Sequence, residues 1–573
     1  MSAALNGAEA LCAALVEAGI EAVFGVPGTQ TVPFYEALRR SGLRTITATQ
    51  ELAACFMAQG YFRASGRLAA VSTIPGPGFS FALAAVPEAY LDGAGLVLLT
   101  GAPPLCPRGR RRSQAIDQAA MARPVIKAVI DATSAACIKD AVRRACRLAR
   151  HGEPGPVLLQ VATGALTESM SCDMPAPDAE VAEQSYETKI DDAAVKFCAA
   201  AKRPFFYVGQ GALDAVVELR RAVEALGAVV ATTPSGRGAL PEDDERVLPL
   251  DATGDVDAVN GIIAACDVVV VLGAALSEAG TLGFRLKLPP ERLVRVDVST
   301  AVLALPPQAR YSVQSTSRAF LQALLAQLHK DGSAPRGFDR AQAQQLRARL
   351  QDRRCGGPSD ARIGGGTAKE FFTALRRAIP VDGYLVVDSG MHQLLARRHF
   401  IVLQPRSLLF PTDFQSMAFA LPAAIGVKLA RPQAPVVALL GDGGFAISGM
   451  ELRTAVAHRL ALPVIVLADG ALGLIRLEQL LTHGHAYATE LSPFDYAAMA
   501  DAVGCAYAHA TGADIETHVR AAFDRSSPTL IAVAVGDAPA LRHALQRRRL
   551  HRMLRAMLGE RLLQTARKLR GRS

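Results

Sequence analysis

The chain has 573 residues, of which half are hydrophobic, and a formal net charge of +9, so we expect about three or four domains with sizeable cores. No apolar run is long enough to cross a bilayer, and no cleavable apolar segment precedes the first helix pattern, which predicts a cytoplasmic protein. The ten cysteines are scattered without metal-ligand spacing, which favours free thiols in a reducing compartment.

Alternating strand and helix patterns predict an α/β protein made of three doubly wound domains with mainly parallel sheets. The first domain is predicted over residues 1–166, and its first helix over residues 8–18. A linker rich in Ser, Pro and acidic residues leads to a central domain over residues 192–329. A charged and then glycine-rich seam over residues 330–366 precedes the third domain, predicted over residues 367–540.

The central domain contains one glycine-rich turn after a strand. The strand is predicted over residues 205–208, and Gly209, Gln210 and Gly211 follow it. Such a turn is compatible with a nucleotide site, but a simple tight turn is the commoner meaning of so short a pattern.

Two aspartates follow predicted strands of the third domain. Asp442 comes after the strand at residues 436–440, and Asp469 comes after the strand at residues 464–467, with a helix predicted over residues 449–459 between them. The ends of parallel strands meet at one edge of a sheet, so both carboxylates would lie together beside a glycine-rich turn. Oxygen ligands there suit Mg²⁺ that bridges to a diphosphate, whereas either aspartate alone would indicate only a common turn.

The spacing of these residues is more specific. Gly-Asp-Gly at residues 441–443, followed after 24 residues by Ala468 and Asp469, resembles the signature of thiamine diphosphate enzymes, which prefer Asn-Asn at the second position. Further blocks resemble the acetolactate synthase-like family, which includes 2-oxo acid decarboxylases, and they follow the family's order. These blocks are residues 25–28, 49–54, 60–66, 72–78, 88–92, 123–127, 388–393 and 417–426.

The resemblance implies thiamine diphosphate and Mg²⁺ as cofactors and assigns roles to individual residues. Glu51 would be the catalytic acid that hydrogen-bonds the pyrimidine ring, and Asp442, Asp469 and the carbonyl of Ala471 would hold the metal. Met417 would support the bent cofactor, although Met391 replaces an expected Gln beside His392. The implied cofactor-binding residues are Gly28, Gly76, Gly78, His392, Gln415, Ser416, Met417, Gly441, Gly443, Gly444, Gly470, Leu472, Gly473 and Leu474.

The family also suggests how copies of the chain assemble. In relatives the pyrimidine domain of one subunit faces the diphosphate domain of another, which implies a homodimer or homotetramer with shared active sites. Some relatives bind FAD in the central domain with an Arg after a strand. Residues 273–278 contain no Arg here, which argues against FAD.

The positions that would face the substrate diverge from the family. Candidates are Gln114, Lys127 and Glu478, the last near the place of a Trp in acetolactate synthases, and this chain has no Trp. The paired His of pyruvate decarboxylases is also absent, which favours carbon–carbon bond formation between a 2-oxo acid and an acceptor. A decarboxylase or lyase that releases an aldehyde, and a catalytically silent regulatory paralogue, are the alternatives.

Residues 541–573 form a basic tail. They carry eleven Arg or Lys and one Glu, so the rest of the chain has a net charge of −1. Leucines and methionines at helical spacing predict an amphipathic helix. It could pack on the body as a lid, dock an acidic partner protein or lie on an anionic membrane. Nucleic acid is the least favoured partner, because no aromatic residue accompanies the charges.

Overall fold

The computed structural model describes residues 5–102, 112–169, 190–250, 256–332, 337–355 and 361–536. The predicted tail over residues 541–573 and most of the predicted linker lie outside these ranges. Three parallel sheets organise the described part, which confirms the predicted α/β class. Each sheet falls within one predicted domain, and we refer to the three parts as the first, second and third units.

The first unit is a six-stranded sheet with the strand order β2-β1-β3-β4-β6-β5. Its strands are β1 Ala22–Gly25, β2 Arg44–Thr47, β3 Ala70–Thr73, β4 Leu96–Ala102, β5 Ala128–Ala132 and β6 Pro156–Ala162. Its helices are α1 Gly7–Glu17, α2 Val32–Ser41, α3 Glu51–Ser65, α4 Pro77–Leu83, α5 Val86–Leu91, α6 Gln118–Ala122 and α7 Ala135–Arg150. Most strands are apolar and buried, as expected where helices cover both faces of a sheet.

The second unit is a five-stranded sheet with the strand order β11-β10-β9-β7-β8. Its strands are β7 Pro204–Val208, β8 Val229–Thr232, β9 Val268–Leu272, β10 Leu293–Asp297 and β11 Tyr311–Gln314. Its helices are α8 Asp192–Ala199, α9 Val216–Leu226, α10 Val256–Ala264, α11 Thr300–Ala304, α12 Ser317–Asp331 and α13 Arg340–Cys355.

Helix α13 occupies the seam predicted over residues 330–366. Ala343 and Leu350 are buried against one face of the second sheet, so this segment belongs to the unit's core. The high charge of the helix hid this short apolar stripe, because a few apolar contacts at helical spacing are enough to dock a helix. An antiparallel hairpin, β12 Arg362–Ile363 and β13 Gly366–Thr367, follows.

The third unit is a six-stranded sheet with the strand order β15-β14-β16-β17-β19-β18, the same topology as the first unit. Its strands are β14 Tyr384–Val387, β15 Leu408–Leu409, β16 Val436–Gly441, β17 Pro463–Ala468, β18 Ala506–Ala510 and β19 Thr529–Ala534. Its helices are α14 Ala368–Ala378, α15 Met391–His399, α16 Ala420–Ala430, α17 Asp442–Ser448, α18 Leu452–Ala457, α19 Gly473–His483, α20 Tyr496–Val503 and α21 Ile515–Phe523.

The helix predicted over residues 449–459 begins earlier than expected. α17 starts at Asp442 itself, a 3₁₀ turn covers Gly449–Glu451, and α18 completes the crossover. Glycines disfavour helix by about 1 kcal/mol each, which is why the pattern suggested a turn. Tertiary contacts outweigh that preference, since a Cβ on Gly444 would lie 2.8 Å from a carboxylate oxygen of Asp388.

The first and third units share one hydrophobic core in which α3 crosses α16. A Cβ on Gly60 of α3 would lie 2.7 Å from the carbonyl carbon of Ala423, and one on Gly426 of α16 would lie 2.7 Å from that of Met57. Glycine at both positions therefore lets the two backbones approach closely. None of the described helices is long and apolar enough to cross a membrane.

Candidate active site

Asp442 lies where β16 ends and α17 begins, at the carboxyl edge of the third sheet. One of its carboxylate oxygens, Oδ2, accepts hydrogen bonds from the backbone N–H groups of Asp469 at 2.7 Å and Gly470 at 3.1 Å. The loop after β17 is thereby tied to the first residue of α17. The structure thus brings together the two strand ends that the sequence pattern predicted to meet.

Asp469 is close enough to Asp442 for the two carboxyl groups to interact. Burial, and then the neighbouring Asp442 carboxyl, raise the pKa of Asp469 to about 6. Its Oδ1 accepts the backbone N–H of Ala471 at 3.1 Å. Two carboxylates that repel each other at a partly buried site fit a divalent cation, which would relieve the repulsion.

This pair would supply only part of a metal's coordination. Within the described ranges there is no cluster of three or more His, Cys, Asp or Glu side chains. A hard cation held here would therefore need backbone carbonyl, phosphate or water oxygens as well, which is the usual arrangement for Mg²⁺.

Tyr496 is a site residue that the sequence patterns did not reveal. Its hydroxyl donates to Oδ1 of Asp442, and burial together with this carboxylate raises the pKa of Tyr496. The ring packs against Phe494 and Phe445, with centroids 5.0 and 5.5 Å away. The two residues of this contact are 54 positions apart in sequence, and no local motif predicts it.

A cavity of about 160 Å³ opens beside the aspartate pair. Predicted cofactor-binding residues line it, namely His392, Met417, Gly441, Gly443, Gly444, Leu472, Gly473 and Leu474, together with Asp442, Asp469 and Ala471. A Cβ on Gly443 would lie 2.7 Å from Cδ2 of Leu472 and 2.8 Å from Cε of Met417. The lack of a side chain at Gly443 keeps this part of the cavity open to a ligand.

His392 carries the clearest sign of a missing partner. Its ring is buried, and its Nε2 has no hydrogen-bond partner. Burial lowers the pKa of His392 to about 4, and its ring hydrogen-bonds to the backbone of Asp388. A diphosphate beside the ring would raise this pKa and favour the imidazolium, in which Nε2 also donates. A buried polar atom without a partner is costly, and a diphosphate oxygen in this cavity would satisfy it. These residues fit a diphosphate with a divalent metal.

Met417 follows a loop that is held both by a side chain of its own and by the first unit. Gln415 donates to the carbonyl of Pro411 at 3.1 Å, so its amide serves the loop. The backbone N–H of Ser416 donates to Glu88 of the first unit at 2.8 Å. Met417 itself is 39% exposed and reaches the cavity. Gly470 has a positive φ of 63° and helps the chain turn after Asp469.

Glu51 is the first residue of α3 and does not line this cavity. A Cβ on Gly78 would lie 2.6 Å from Oε1 of Glu51, so only glycine leaves room for the carboxylate there. Gly76 has a positive φ of 70°, and its backbone lies against Gln114, whose side chain accepts a hydrogen bond from Gln30 at 2.6 Å. At Gly28 a Cβ would overlap the side chain of Ile74.

Glu51 is absent from the lining of the cavity beside Asp442 within one chain. The residues that line this cavity all lie between Ser389 and Val535. Among the predicted residues of the first unit, Gly78 adjoins the Glu51 carboxylate, Gly28 adjoins Ile74, and Gly76 adjoins Gln114.

Two predicted substrate-facing residues do not line the cavity beside Asp442. The ammonium of Lys127 donates to the carbonyls of Leu148, His151 and Glu153 at 2.7, 2.8 and 2.6 Å, at the end of α7. All three N–H groups are engaged there, so we leave Lys127 out of the substrate site. Glu478 lies on the exposed face of α19, one turn beyond Leu474 of the cavity lining.

The glycine-rich turn of the second unit has a packing role. A Cβ on Gly211 would lie 2.9 Å from Cα of Gly273, in the turn after β9. Two turns that approach this closely require glycine, which supports the tight-turn interpretation. The turns border a larger cavity of about 570 Å³ among the three units.

Comparison with known proteins finds three matching domains along the chain. Residues 5–121 match the N-terminal thiamine pyrophosphate binding domain of thiamine pyrophosphate enzymes, residues 192–324 match their central domain, and residues 388–533 match their C-terminal thiamine pyrophosphate binding domain.

Whole-chain relatives agree with this result. The chain is 30% identical to a probable 2-ketoarginine decarboxylase, AruI, of Pseudomonas aeruginosa over 95% of each chain. It is 27% identical to a probable acetolactate synthase large subunit of Methanocaldococcus jannaschii, over 94% of this chain and 93% of the relative. It is 28% identical to acetolactate synthase isozyme 3 large subunit of Escherichia coli, over 87% and 89% respectively. The chain therefore belongs to the thiamine pyrophosphate-dependent enzymes of the acetolactate synthase-like family.

Proposed function

We propose that this enzyme uses thiamine diphosphate and Mg²⁺ to decarboxylate a 2-oxo acid and to transfer the resulting acyl unit to an acceptor. The observation that supports the cofactor set most strongly is the Asp442–Asp469 pair beside a glycine-lined cavity in which Nε2 of His392 has no partner. When bound, thiamine diphosphate supplies a nucleophilic thiazolium carbon and an electron sink.

The residues of the third unit would hold the charged end of the cofactor. Asp442, Asp469 and the carbonyl of Ala471 would bind Mg²⁺, and His392 would donate to a diphosphate oxygen. The glycines at residues 441–444 let backbone N–H groups at the start of α17 approach the phosphates, where the helix dipole favours negative charge. Met417 would support the cofactor from the cavity wall.

Glu51 would hold and move a proton on the pyrimidine ring. Its side chain is 8% exposed and is enclosed by Ile74 and Gly78. A carboxyl group in such a setting can exchange a proton with a ring nitrogen, because little water competes for the hydrogen bond.

We propose that the enzyme is a homodimer or homotetramer in which Glu51 of one copy meets the Asp442 cavity of another. The absence of Glu51 from the lining of this cavity within one chain supports the proposal, as does the exposure of several apolar side chains. Phe81, Ile447, Met450 and Ile475 are 62, 48, 46 and 51% exposed. Large exposed apolar residues in such a group commonly mark an interface.

Cys12, Cys55, Cys137, Cys146, Cys198, Cys266 and Cys505 are free thiols, which supports a cytoplasmic location. For the basic tail over residues 541–573 we retain packing on the body and docking of an acidic partner protein as alternatives.

The direct test is product analysis with purified enzyme, thiamine diphosphate and Mg²⁺. We would incubate a panel of 2-oxo acids that includes pyruvate, with and without aldehyde acceptors, and identify products by mass spectrometry. We expect CO₂ release and a ligated product that require both cofactors. Free aldehyde without ligation would select the decarboxylase or lyase alternative. Failure to bind thiamine diphosphate with Mg²⁺ in calorimetry would select the silent paralogue.

A second candidate is decarboxylation of a 2-oxo acid with a cationic side chain. Glu478 lies on the exposed face of α19, one turn beyond Leu474 of the cavity lining, and its carboxylate could pair with a guanidinium group of the substrate. The relative named as a probable 2-ketoarginine decarboxylase supports this candidate.

The charge of the substrate tests the second candidate. We would compare 2-ketoarginine with 2-oxopentanoate, which lacks the guanidinium group, in the wild type and in Glu478→Gln. If Glu478 recognises the cation, the variant loses about ten-fold in kcat/KM for 2-ketoarginine alone. Equal losses in kcat/KM for both substrates would show that Glu478 does not recognise the positive charge of 2-ketoarginine.

A further inference from the structure

Glu451 of the third unit reaches across to the chain that leads into Glu51. It lies in the turn between α17 and α18 and is fully buried. Its Oε1 accepts the backbone N–H of Thr49 at 3.0 Å and also the Thr49 hydroxyl. Its Oε2 accepts the hydroxyl of Thr454, within the third unit, at 2.7 Å. The bonds to Thr49 span 402 positions of sequence.

Glu88 of the first unit makes the opposite connection. It lies in α5 and is fully buried. Its Oε1 accepts the backbone N–H of Thr412 at 3.1 Å, and its Oε2 accepts that of Ser416 at 2.8 Å. These two amides flank the loop that leads into Met417.

Asp92 and Arg63 reinforce the same loop. Asp92 accepts a hydrogen bond from Arg63 at 2.8 Å and one from the backbone N–H of Thr412 at 3.3 Å. Arg63 also donates to the carbonyl of Phe410 at 2.9 Å. Arg63 belongs to α3, the helix that Glu51 begins, so the loop before Met417 is tied to the same helix as the catalytic acid.

Neither helix start has a local cap of its own. Gln50, before α3, and Phe419, before α16, make no side-chain capping hydrogen bond. Helix starts leave backbone N–H groups without partners, and a side chain next to the helix usually fixes the entering chain. Here Glu451 holds the segment that enters α3 from the opposite unit. Glu88 does the same for the segment that enters α16, where Asp388 of the third unit also accepts the backbone N–H of Ala420 at 3.3 Å.

We propose that Glu451 and Glu88 are positioning residues that act reciprocally: Glu451 of the third unit sets Glu51, and Glu88 of the first unit sets Met417. The inference rests on the roles proposed above for Glu51 and Met417. Neither glutamate touches the cavity beside Asp442, whose lining contains neither residue. Their effects should therefore differ: Glu451 controls turnover, and Glu88 controls cofactor affinity.

The experiment uses the full chain with thiamine diphosphate and Mg²⁺. We would measure kcat from CO₂ release with pyruvate and 2-ketoarginine, cofactor Kd by calorimetry, and Tm. Glu451→Leu removes both acceptors, and a displaced catalytic group typically costs about 100-fold in rate, so we expect a loss of that order in kcat with cofactor Kd unchanged. Glu451→Gln should restore kcat, because its amide can accept from Thr49 and donate to Thr454.

Glu88→Gln should behave differently from Glu451→Gln, although both substitutions keep the shape of the side chain. Both oxygens of Glu88 accept backbone N–H groups, so one of them would face the NH₂ of the new amide. We expect cofactor Kd to weaken by about ten-fold as the loop before Met417 shifts. Thr454→Val removes only the bond inside the third unit and should leave both kcat and Kd at wild-type values.

Two controls separate the possible failures. If Glu451→Leu and Glu88→Gln lower only Tm, or change kcat and Kd in parallel, the glutamates are structural and the inference is wrong. If Glu51→Gln retains full turnover, the proposed function of Glu51 fails and its positioning by Glu451 fails with it. A Glu51→Gln enzyme that is inactive beside a fully active Glu451→Leu enzyme overturns the inference alone.

Discussion

The first and third units have the same strand order but present opposite chemistry at the carboxyl edges of their sheets. The third unit places two carboxylates and an imidazole whose Nε2 has no partner around a glycine-lined cavity. The first unit places one carboxyl group, Glu51, against Gly78. In the function proposed above, one scaffold would bind a charged diphosphate with its metal, and the other would accommodate a ring that exchanges a proton.

This difference between the residues of the first and third units also explains why neither unit would be active alone. A diphosphate site fixes one end of a cofactor but supplies no proton donor for its ring. Glu51 would supply that proton-exchanging group, but it does not line the cavity proposed for the diphosphate. Variants that affect one unit should therefore change one property of the enzyme and leave the other.

The largest expected effect separates turnover from binding. Glu51→Gln should lower kcat by about 1,000-fold, because it removes the proton-exchanging group while the diphosphate site stays intact. Cofactor Kd, measured by calorimetry with Mg²⁺, should stay close to wild type. Asp442→Asn should instead weaken cofactor binding. If Glu51→Gln weakened binding as much as Asp442→Asn, the division of labour between the units would be wrong.

The next prediction concerns what the two units share, the crossing of α3 and α16. Gly60→Ala and Gly426→Ala place a Cβ 2.7 Å from a carbonyl carbon of the facing helix. Overpacking costs about 1–3 kcal/mol or more, which exceeds the gain of about 1 kcal/mol in helix propensity. Both variants should lower the free energy of unfolding, measured with denaturant, by a similar amount.

Gly261 in α10 is the matched control, because a Cβ there would meet no atom within 4 Å. Gly261→Ala should stabilise the protein by up to about 1 kcal/mol. If Gly60→Ala stabilised it as well, the close approach of the two helices would be contradicted.

The sequence predicted those parts of the site that follow from local pattern and strand order. The spacing of Asp442 and Asp469, together with parallel strands, placed the two carboxylates at one edge, as observed. Contacts between distant segments carried no such signal. The bonds from Thr49 to Glu451 and from Tyr496 to Asp442 depend on how helices dock after the sheets have formed.

Helix starts and charged helices were the other source of error. Gly441, Gly443 and Gly444 suggested a turn. The helix α17 nevertheless begins at Asp442, because a larger residue at position 444 would collide with Asp388. The charge of residues 340–355 suggested a seam, yet α13 docks on the second sheet through a short apolar stripe. Local propensity is a weak guide wherever a few tertiary contacts decide.

A smaller effect tests the metal side of the third unit. Asp469→Ala should weaken Mg²⁺ affinity by at least about ten-fold, whereas Asp469→Asn, which restores the residue preferred in the family, should preserve it. Unchanged affinity in the Ala variant would place Asp469 outside the metal's ligands.

The same residue predicts a pH dependence with a defined sign. Burial and Asp442 raise the pKa of Asp469 to about 6, so the carboxyl takes up a proton as the pH falls through that value. The proton competes with the metal, and Mg²⁺ affinity in calorimetry should decrease by about ten-fold for each pH unit below it. Asp469→Asn has no such proton and should show a much flatter profile over the same range.

The smallest expected effect concerns Tyr496, whose hydroxyl donates to Oδ1 of Asp442. Tyr496→Phe keeps the ring contacts with Phe445 and Phe494 but removes the donor that orients the carboxylate. One hydrogen bond contributes about 1 kcal/mol, so Mg²⁺ affinity should weaken by about five-fold, with Tm nearly unchanged. Tyr487→Phe, at a tyrosine that is 80% exposed, should leave Mg²⁺ affinity at the wild-type value. Equal affinities in all three proteins would mean that Tyr496 serves the third unit only through its ring, and that Asp442 is oriented by the backbone N–H groups of Asp469 and Gly470 alone.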